Sequence, residues 1–135
     1  MTIQFSASVR NARVNAVETA IGASAVLKIR TGAAPGDVAT ADSGTVLATV
    51  TLPSDWMAAA SGGSASKSGT WQDTSADATG TAAHFRVYAS DGTTAHMQGT
   101  VTATGGGGDM TVDNTSFASG QNFTVTTFTL TDGNA

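Results

Sequence analysis

The sequence predicts a mainly β domain: an antiparallel β-sandwich or jelly-roll-like fold that carries one N-terminal α-helix. Apolar and polar residues alternate over several short segments after residue 25, which is the period of a half-buried strand. Turn-forming residues separate these segments. Residues 7–21 are the only long segment with helical spacing, and because helices do not alternate with the strands, a parallel sheet of βαβ units is disfavoured.

The length and composition indicate one domain over residues 1–135, with the helix at 7–21 and the sandwich at 25–131. Charged residues make up 12% of the chain against a typical share of about 25%, and the net charge is -4. The six Lys and Arg residues are scattered, so we expect neither a nucleic-acid nor a membrane partner. The absence of cysteine excludes disulfides and thiolate metal sites. Residues 1–24 lack the order of regions found in a signal peptide, so none is expected.

The predicted helix at 7–21 begins after a capping serine, Ser6 or Ser8, and ends at Gly22. Its apolar side is expected to be buried and its polar side to lie opposite. The residues of the apolar side are Val9, Ala12, Ala16, Val17, Ala20 and Ile21, and those of the polar side are Asn11, Asn15, Glu18 and Thr19. Such an alanine-rich face permits close approach to a sheet or to a neighbouring subunit.

The first strand is predicted from residue 25, where Ala25, Leu27 and Ile29 form its apolar side. Glycine, proline and aspartate predict a long surface loop over 31–44. A second strand is predicted at 45–52, with alternate residues on one apolar face.

The segment after this strand has weaker signals. A short helical turn is predicted at 54–60, because Ser54 can cap it and Asp55 suits its positive end. The Gly/Ser/Ala-rich segment 61–68 predicts a mobile loop, followed by a short strand around 70–72. Another polar turn is expected over 73–80.

A β-hairpin is predicted from two alternating segments, 84–89 and 95–103, joined by an Asp-Gly pair at 91–92 that suits a tight turn. After a glycine run, Met110 and Val112 predict a short extended segment. The last strand changes its apolar phase between Thr126 and Thr127, which predicts either a β-bulge or a strand whose two halves face different surfaces.

Residues that carry chemistry are sparse. His84 and His96 fall on the polar faces of the hairpin strands, with Tyr88 beside His84, which favours a small polar cluster. Because no third ligand lies at a recognisable spacing, we expect solvated or interface histidines and no metal site. The glycine run lacks the Lys-Ser/Thr ending of a phosphate loop, and a serine nucleophile has no matching elbow. We therefore expect no catalytic residue, no cofactor and no enzymatic activity.

Four stretches carry a resemblance to a known family: MTIQFSASVRNARVNAVETAIG, LPSDWMAAASGGS, GTWQDTSADATGTAAHFRVY and GTVTATGGGGDMTVDNTSFASGQNFTVTTFTLT. They resemble a family of small proteins encoded among the structural genes of tailed bacteriophages. The resemblance implies a homo-oligomeric virion protein at the particle surface, assembled in the bacterial cytoplasm. Its partners would be the major capsid protein or neck and tail proteins, and its role capsid decoration (cement) or a neck/tail accessory function.

Candidate contact residues follow from the helix, the two tryptophans and the 61–68 segment. They are Val9, Ala12, Ala16, Trp56, Met57, Ser64, Lys67 and Trp71. A tryptophan brings a large apolar area wherever it lies, so burial or protein contact is favoured for both. The alternative is a glycan- or receptor-binding module of a tail fibre, in which Trp71, Tyr88 and His84 hold a sugar.

Overall fold

A computed structural model describes residues 3–134; residues 1, 2 and 135, the ends of the predicted domain, lie outside the described part. The predicted fold class is confirmed, since one N-terminal helix precedes a curled, mainly antiparallel sheet of the β-sandwich or jelly-roll-like type. The described elements are α1 (Ala7–Ile21), β1 (Val26–Thr31), β2 (Val46–Thr51), β3 (Ser64–Ser66), β4 (Gln72–Asp73), β5 (Gly80–Tyr88), β6 (Ala95–Ala103), β7 (Met110–Val112), β8 (Ser116–Phe117) and β9 (Phe123–Thr131).

The strands follow the order β2-β1-β5-β6-β7-β9-β3, while β4 pairs with β9 and β8 with β5. The pairing of β6 with β7 is parallel, and the other strand pairs are antiparallel. The apolar core lies inside the curl. Its aromatic centre includes Trp71, which lies 6.1 Å from Trp56 and 5.6 Å from Phe128 between ring centroids.

The predicted hairpin is confirmed as β5 and β6, with Phe85 opposite Gly99 and Arg86 opposite Gln98. The connection is longer than a two-residue turn, because Ala89 N–H donates to the carbonyl of Thr94. Asp91 accepts hydrogen bonds from the N–H groups of Thr93 and Thr94, both at 2.9 Å. The turn is therefore closed by a side chain as well as by the Asp-Gly backbone.

The predicted β-bulge in the last strand is also confirmed. Thr127 of β9 pairs with Thr111 and Val125 pairs with Val112, so Thr126 is the extra residue. The bulge lets Val125 and Phe128 both enter the core although they are an odd number of residues apart.

Residues 54–68 differ from the prediction. No helical turn forms at 54–60, and the 61–68 segment contains β3 instead of lying wholly in a mobile loop. Residues 57–61 run antiparallel to 64–67, with Met57 bridged to Lys67 and Ala58 N–H donating to the carbonyl of Ser66. Pairing with β3 and burial of Trp56 outweigh the local helical signals.

Helix α1 has the predicted limits, with Ser6 accepting a hydrogen bond from Val9 N–H (3.3 Å) and Gly22 at φ 99°. The predicted buried face is wrong in part, although Ile21 is buried and Val17 half-buried. Four of its residues are exposed instead: Val9, Ala12, Ala16 and Ala20.

Candidate functional site

Helix α1 docks on the domain through polar side chains. The carboxylate of Glu18 accepts a hydrogen bond from the N–H of Met57. Asn15 Oδ1 accepts from Ala60 N–H at 2.9 Å, and Asn11 Oδ1 accepts from Gly63 N–H at 2.7 Å. These three acceptors recur at helical spacing along one side of α1.

Their partners belong to the outer edge of the hairpin formed by residues 57–67. Unpaired backbone groups on such an edge are open to pairing with another chain. The side chains of α1 satisfy three of the edge N–H groups, and Arg10 Nη1 donates to the carbonyl of Gly62 at 3.1 Å. Asn11, Asn15 and Glu18 therefore face the hairpin because they cover polar backbone at its edge.

Apolar contacts complete the docking of α1. Val14 and Ile21 are buried in the main core, and Val17 packs against it. An ion pair joins Arg13 Nε to Asp132 Oδ2 at 3.0 Å near the end of β9. The arrangement fixes α1 between the hairpin edge and the C-terminal end of β9.

The outer face of α1, defined here as Val9, Ala12, Ala16 and Ala20, points away from these contacts. Val9 is 43% exposed and the three alanines are exposed. Ile3, before the helix, is 72% exposed. Because these side chains are short, the backbone of another protein can approach α1 closely along this face.

Glu18 and Asp55 form a carboxyl pair where α1 meets the hairpin. Partial removal from water raises the pKa of Glu18, and the charge of Asp55 adds to the rise, while the Met57 N–H opposes it. We therefore expect the stability of the joint between helix and hairpin to depend on pH.

The predicted contact residues do not form one surface. Trp56, Met57 and Trp71 are buried, so they are not available to a partner in the folded domain. The indole N–H of Trp56 donates to the carbonyl of Gly22 at 3.1 Å. Among the predicted contacts, the exposed ones are Val9, Ala12 and Ala16 of α1.

Ser64 and Lys67, the remaining predicted contact residues, are half-buried. Ser64 Oγ lies 3.3 Å from Thr131 Oγ1, and Lys67 Nζ donates to the carbonyl of Gly69 at 3.1 Å. Both side chains thus have partners within the domain.

Sequence reasoning placed His84 and Tyr88 in a small polar cluster but missed that this cluster is largely buried between the sheet and the loop of residues 32–44, here called the 32–44 loop. The polar cluster consists of Arg30, Asp42, His84, Arg86, Tyr88 and Gln98. His84 donates from Nδ1 to the carbonyl of Gly32 at 2.6 Å, and it is 1% exposed. The expectation of a solvated or interface histidine is wrong for His84, while His96 is exposed and stands outside the polar cluster.

A charge signal for the polar cluster is present in the sequence. Lys28 and Arg30 of β1 lie on the same polar phase as His84 and Arg86 of β5, and the two strands pair directly. The connecting loop supplies aspartates. Several cations on one face of paired strands repel each other unless acidic groups lie nearby. Together with the aspartates of the adjacent loop, they indicate that the loop covers this face of the sheet.

Aspartates near the strand ends have partners within the domain. Asp73 Oδ2 accepts from Thr49 N–H at 3.1 Å, and Asp109 Oδ2 accepts from Thr100 N–H at 2.9 Å. Within residues 3–134 no group of three or more His, Asp or Glu residues is placed to hold a metal ion. No helix in the described part of the chain has the length and apolar character to cross a membrane.

Comparison with known proteins adds no relative. The chain matches no protein-family model, no curated protein and no solved structure.

Proposed function

We propose that this chain is a structural subunit of a tailed-phage particle that acts through protein–protein contacts. Its role is capsid decoration or a neck/tail accessory function, and its partners are copies of itself and the major capsid or neck and tail proteins. Support comes from the four resembling stretches of sequence and from the outer face of α1. The proposed location is the particle surface, after assembly in the bacterial cytoplasm.

The observation that carries the proposal is the orientation of α1. The larger apolar side chains of α1, Val14, Val17 and Ile21, face the core, as is usual for a surface helix. Here acceptor side chains cover an edge, and the outer face of α1 presents a valine and three alanines in a row about 16 Å long. A row of small apolar side chains suits close packing against another subunit, and such contacts repeat in a symmetric assembly.

The glycan-binding alternative rests on Trp71, Tyr88 and His84. All three side chains are buried in the described structure. A sugar ring needs an exposed aromatic face for stacking, so these residues offer no such platform. No other observation favours this alternative.

The first experiment counts copies of the chain in purified particles by quantitative mass spectrometry, normalised to the major capsid protein. Hundreds of copies per particle are expected for a decoration protein, and a low number that matches one ring of subunits for a neck or tail protein. Absence from the particle would overturn the proposal.

A second experiment tests the contact surface. Ala16→Arg places a long cation on the outer face of α1, and Ala118→Arg makes the same change at an exposed turn elsewhere. Incorporation into particles is expected to fall about tenfold or more for Ala16→Arg and to stay unchanged for Ala118→Arg. Equal incorporation of both variants would exclude the outer face of α1 as the contact surface.

A further inference from the structure

Three donors of the polar cluster converge on one carboxylate. Asp42 Oδ2 accepts from Arg30 Nη2 at 2.9 Å, while Asp42 Oδ1 accepts from Arg86 Nη1 at 2.8 Å and from the Tyr88 hydroxyl at 2.7 Å. Two guanidinium groups and a phenol around one carboxylate form a complete recognition site for that group. Burial, together with the hydrogen bond to Asp42, raises the pKa of Tyr88, so its hydroxyl keeps its proton.

The donors and the acceptor come from parts of the fold that are held differently. Arg30 lies on β1, and Arg86 and Tyr88 lie on β5, two strands that are paired along their length. Asp42 lies in the 32–44 loop, which contains no strand and contributes no residue to the apolar core. The donors are thus fixed in place by the sheet, whereas the carboxylate is carried by a loop.

Hydrogen bonds from sheet side chains hold this loop closed. Arg86 Nη2 donates to the carbonyls of Asp37 and Thr40 at 3.0 and 2.9 Å, and Gln98 Nε2 donates to the carbonyl of Pro35 at 2.8 Å. These carbonyls can bond to water instead when the loop moves away. Segments held by polar contacts without apolar burial are those that open at low free-energy cost.

The site has an excess of positive charge. Arg30 and Arg86 both pair with Asp42, and the charge of Arg86 also acts on Asp37. Lys28 adds a third cation on the same strand face; its Nζ lies 5.0 Å from the centre of the Tyr88 ring and donates to the carbonyl of Gly92. His84 lies on the same strand face, opposite Arg30. The Nε atom of Arg30 is buried and has no hydrogen-bond partner among the described residues. A buried unpartnered donor beside excess cations points to a site able to take an anion.

Solvent reaches this site. The side chain of Asp42 is 36% exposed, although Arg86 beneath it is 2% exposed. A cleft of about 370 Å³ opens between the 32–44 loop and the β5–β6 hairpin, and Thr40, Asp42, Arg86 and Thr93 line it. A carboxylate can therefore approach Arg86 beside Asp42 without passing through the core.

We propose that Arg30, Arg86 and Tyr88 form a carboxylate-binding site, which Asp42 fills when the 32–44 loop is closed and an external carboxylate fills when the loop opens. The external group is carried by a small carboxylic acid or by an acidic residue of another protein. Both present the same two oxygens to the same donors. The site does not depend on the proposed virion role.

Asp42→Asn tests the site by removing the internal carboxylate at nearly constant size. Acetate is the probe, and binding is measured from chemical-shift changes in NMR spectra, with sodium chloride at equal ionic strength as reference. Because Asp42 competes for the donors, acetate is expected to bind the variant at least about tenfold more tightly than the wild type. Adding Arg30→Met is expected to abolish the gain. Asp113→Asn, the same change at an exposed bend that does not line the cleft, serves as the matched control.

Hydrogen exchange of residues 32–44 in the wild-type chain gives an independent measurement if a variant fails to fold. Acetate is expected to accelerate exchange in the 32–44 loop with a saturable dependence that chloride lacks. A short peptide ending in aspartate distinguishes the two sources, since a protein-borne carboxylate predicts tighter binding than acetate. The proposal is overturned if acetate leaves both the Asp42→Asn spectra and the wild-type exchange unchanged, or if Arg30→Met leaves acetate binding intact.

Discussion

Exchanging the same two residue types at neighbouring positions of α1 tests which side of the helix faces the domain. Asn11→Ala removes the acceptor that lies 2.7 Å from the N–H of Gly63, a buried residue. Ala12→Asn places an amide on the outer face of α1. In the observed orientation Asn11→Ala is the more destabilising change. If the alanine face were turned inward, Ala12→Asn would be the more destabilising one.

The magnitudes follow from the contacts. A buried N–H left without a partner costs about 1–3 kcal/mol, and the better helix propensity of alanine returns about 0.5 kcal/mol. Asn11→Ala is thus expected to lower the free energy of unfolding by about 0.5–2.5 kcal/mol, with a central value of about 1.5 kcal/mol. Ala12→Asn should lower it by only about 0.5 kcal/mol, the propensity difference at an exposed position.

Urea unfolding followed by circular dichroism measures both values. With a slope of about 1.5 kcal/mol per molar, Asn11→Ala should lower the midpoint by about 1 M and Ala12→Asn by about 0.3 M. Asn11→Asp, which keeps an acceptor oxygen, should remain near the wild type. The reasoning is refuted if Ala12→Asn is the more destabilising change, because an inward alanine face would then be the correct orientation.

Three further predictions concern the core and the acid response. Gly99→Ala should lower the free energy of unfolding by about 1–3 kcal/mol, since a Cβ there lies 2.7 Å from the Phe85 ring. Gly36→Ala is the control: its Cβ meets open space, so it should change the free energy of unfolding by less than about 0.5 kcal/mol in the same urea assay. Trp71→Ala should lower the free energy of unfolding by about 3–5 kcal/mol, measured by calorimetry, because Trp71 is fully buried. For the same reason the tryptophan fluorescence of the wild-type chain should not respond to added polysaccharide. Because the pKa of Glu18 is raised in the folded state, the stability that Glu18 contributes is largest below pH 4.5 and is lost as the pH rises through the folded-state pKa. Glu18→Gln should therefore remove this part of the pH dependence of the free energy of unfolding. An unchanged pH dependence in the variant would contradict the assignment.

Asp42 and Glu18 respond to acid in opposite directions. Partial burial alone would raise the pKa of Asp42, but hydrogen bonds from Tyr88 and Arg86 and the charges of Arg30 and Arg86 outweigh it, and the pKa lies below 3.8. The stability that Asp42 contributes is therefore present above pH 3.8 and lost as the pH falls through its folded-state value. The acid responses of the 32–44 loop and of α1 can thus be separated by pH.

Features set by short-range chemistry were predictable from the sequence. The limits of α1 follow from Ser6 and Gly22. A side-chain acceptor caps the first turn and a residue with positive φ ends the last one, and both effects are local to the helix. The β5–β6 hairpin follows from alternation around an Asp-Gly pair, and the bulge at Thr126 from a change of apolar phase. Each signal lies within a few residues of the feature that it determines.

Hairpin 57–67 was not predictable in this way. Its residues are small and polar, so local propensity favours turns and loops. Pairing of β3 with β9, which is about 65 residues away along the chain, supplies the hydrogen bonds that make it extended.

The face that α1 turns inward, and the burial of Arg30 and Arg86, were decided by tertiary structure alone. By itself the sequence determined a mainly β domain with one N-terminal helix, the strand periods and the positions of the main turns. It could not determine which surface meets α1, because an alanine-rich face suits either a sheet or a neighbouring subunit. Which side of α1 faces the domain depends on three N–H groups at the edge of the 57–67 hairpin. Likewise, Arg86 is buried because the 32–44 loop brings a carboxylate and backbone carbonyls to it from more than 40 residues away, and no local pattern records that approach.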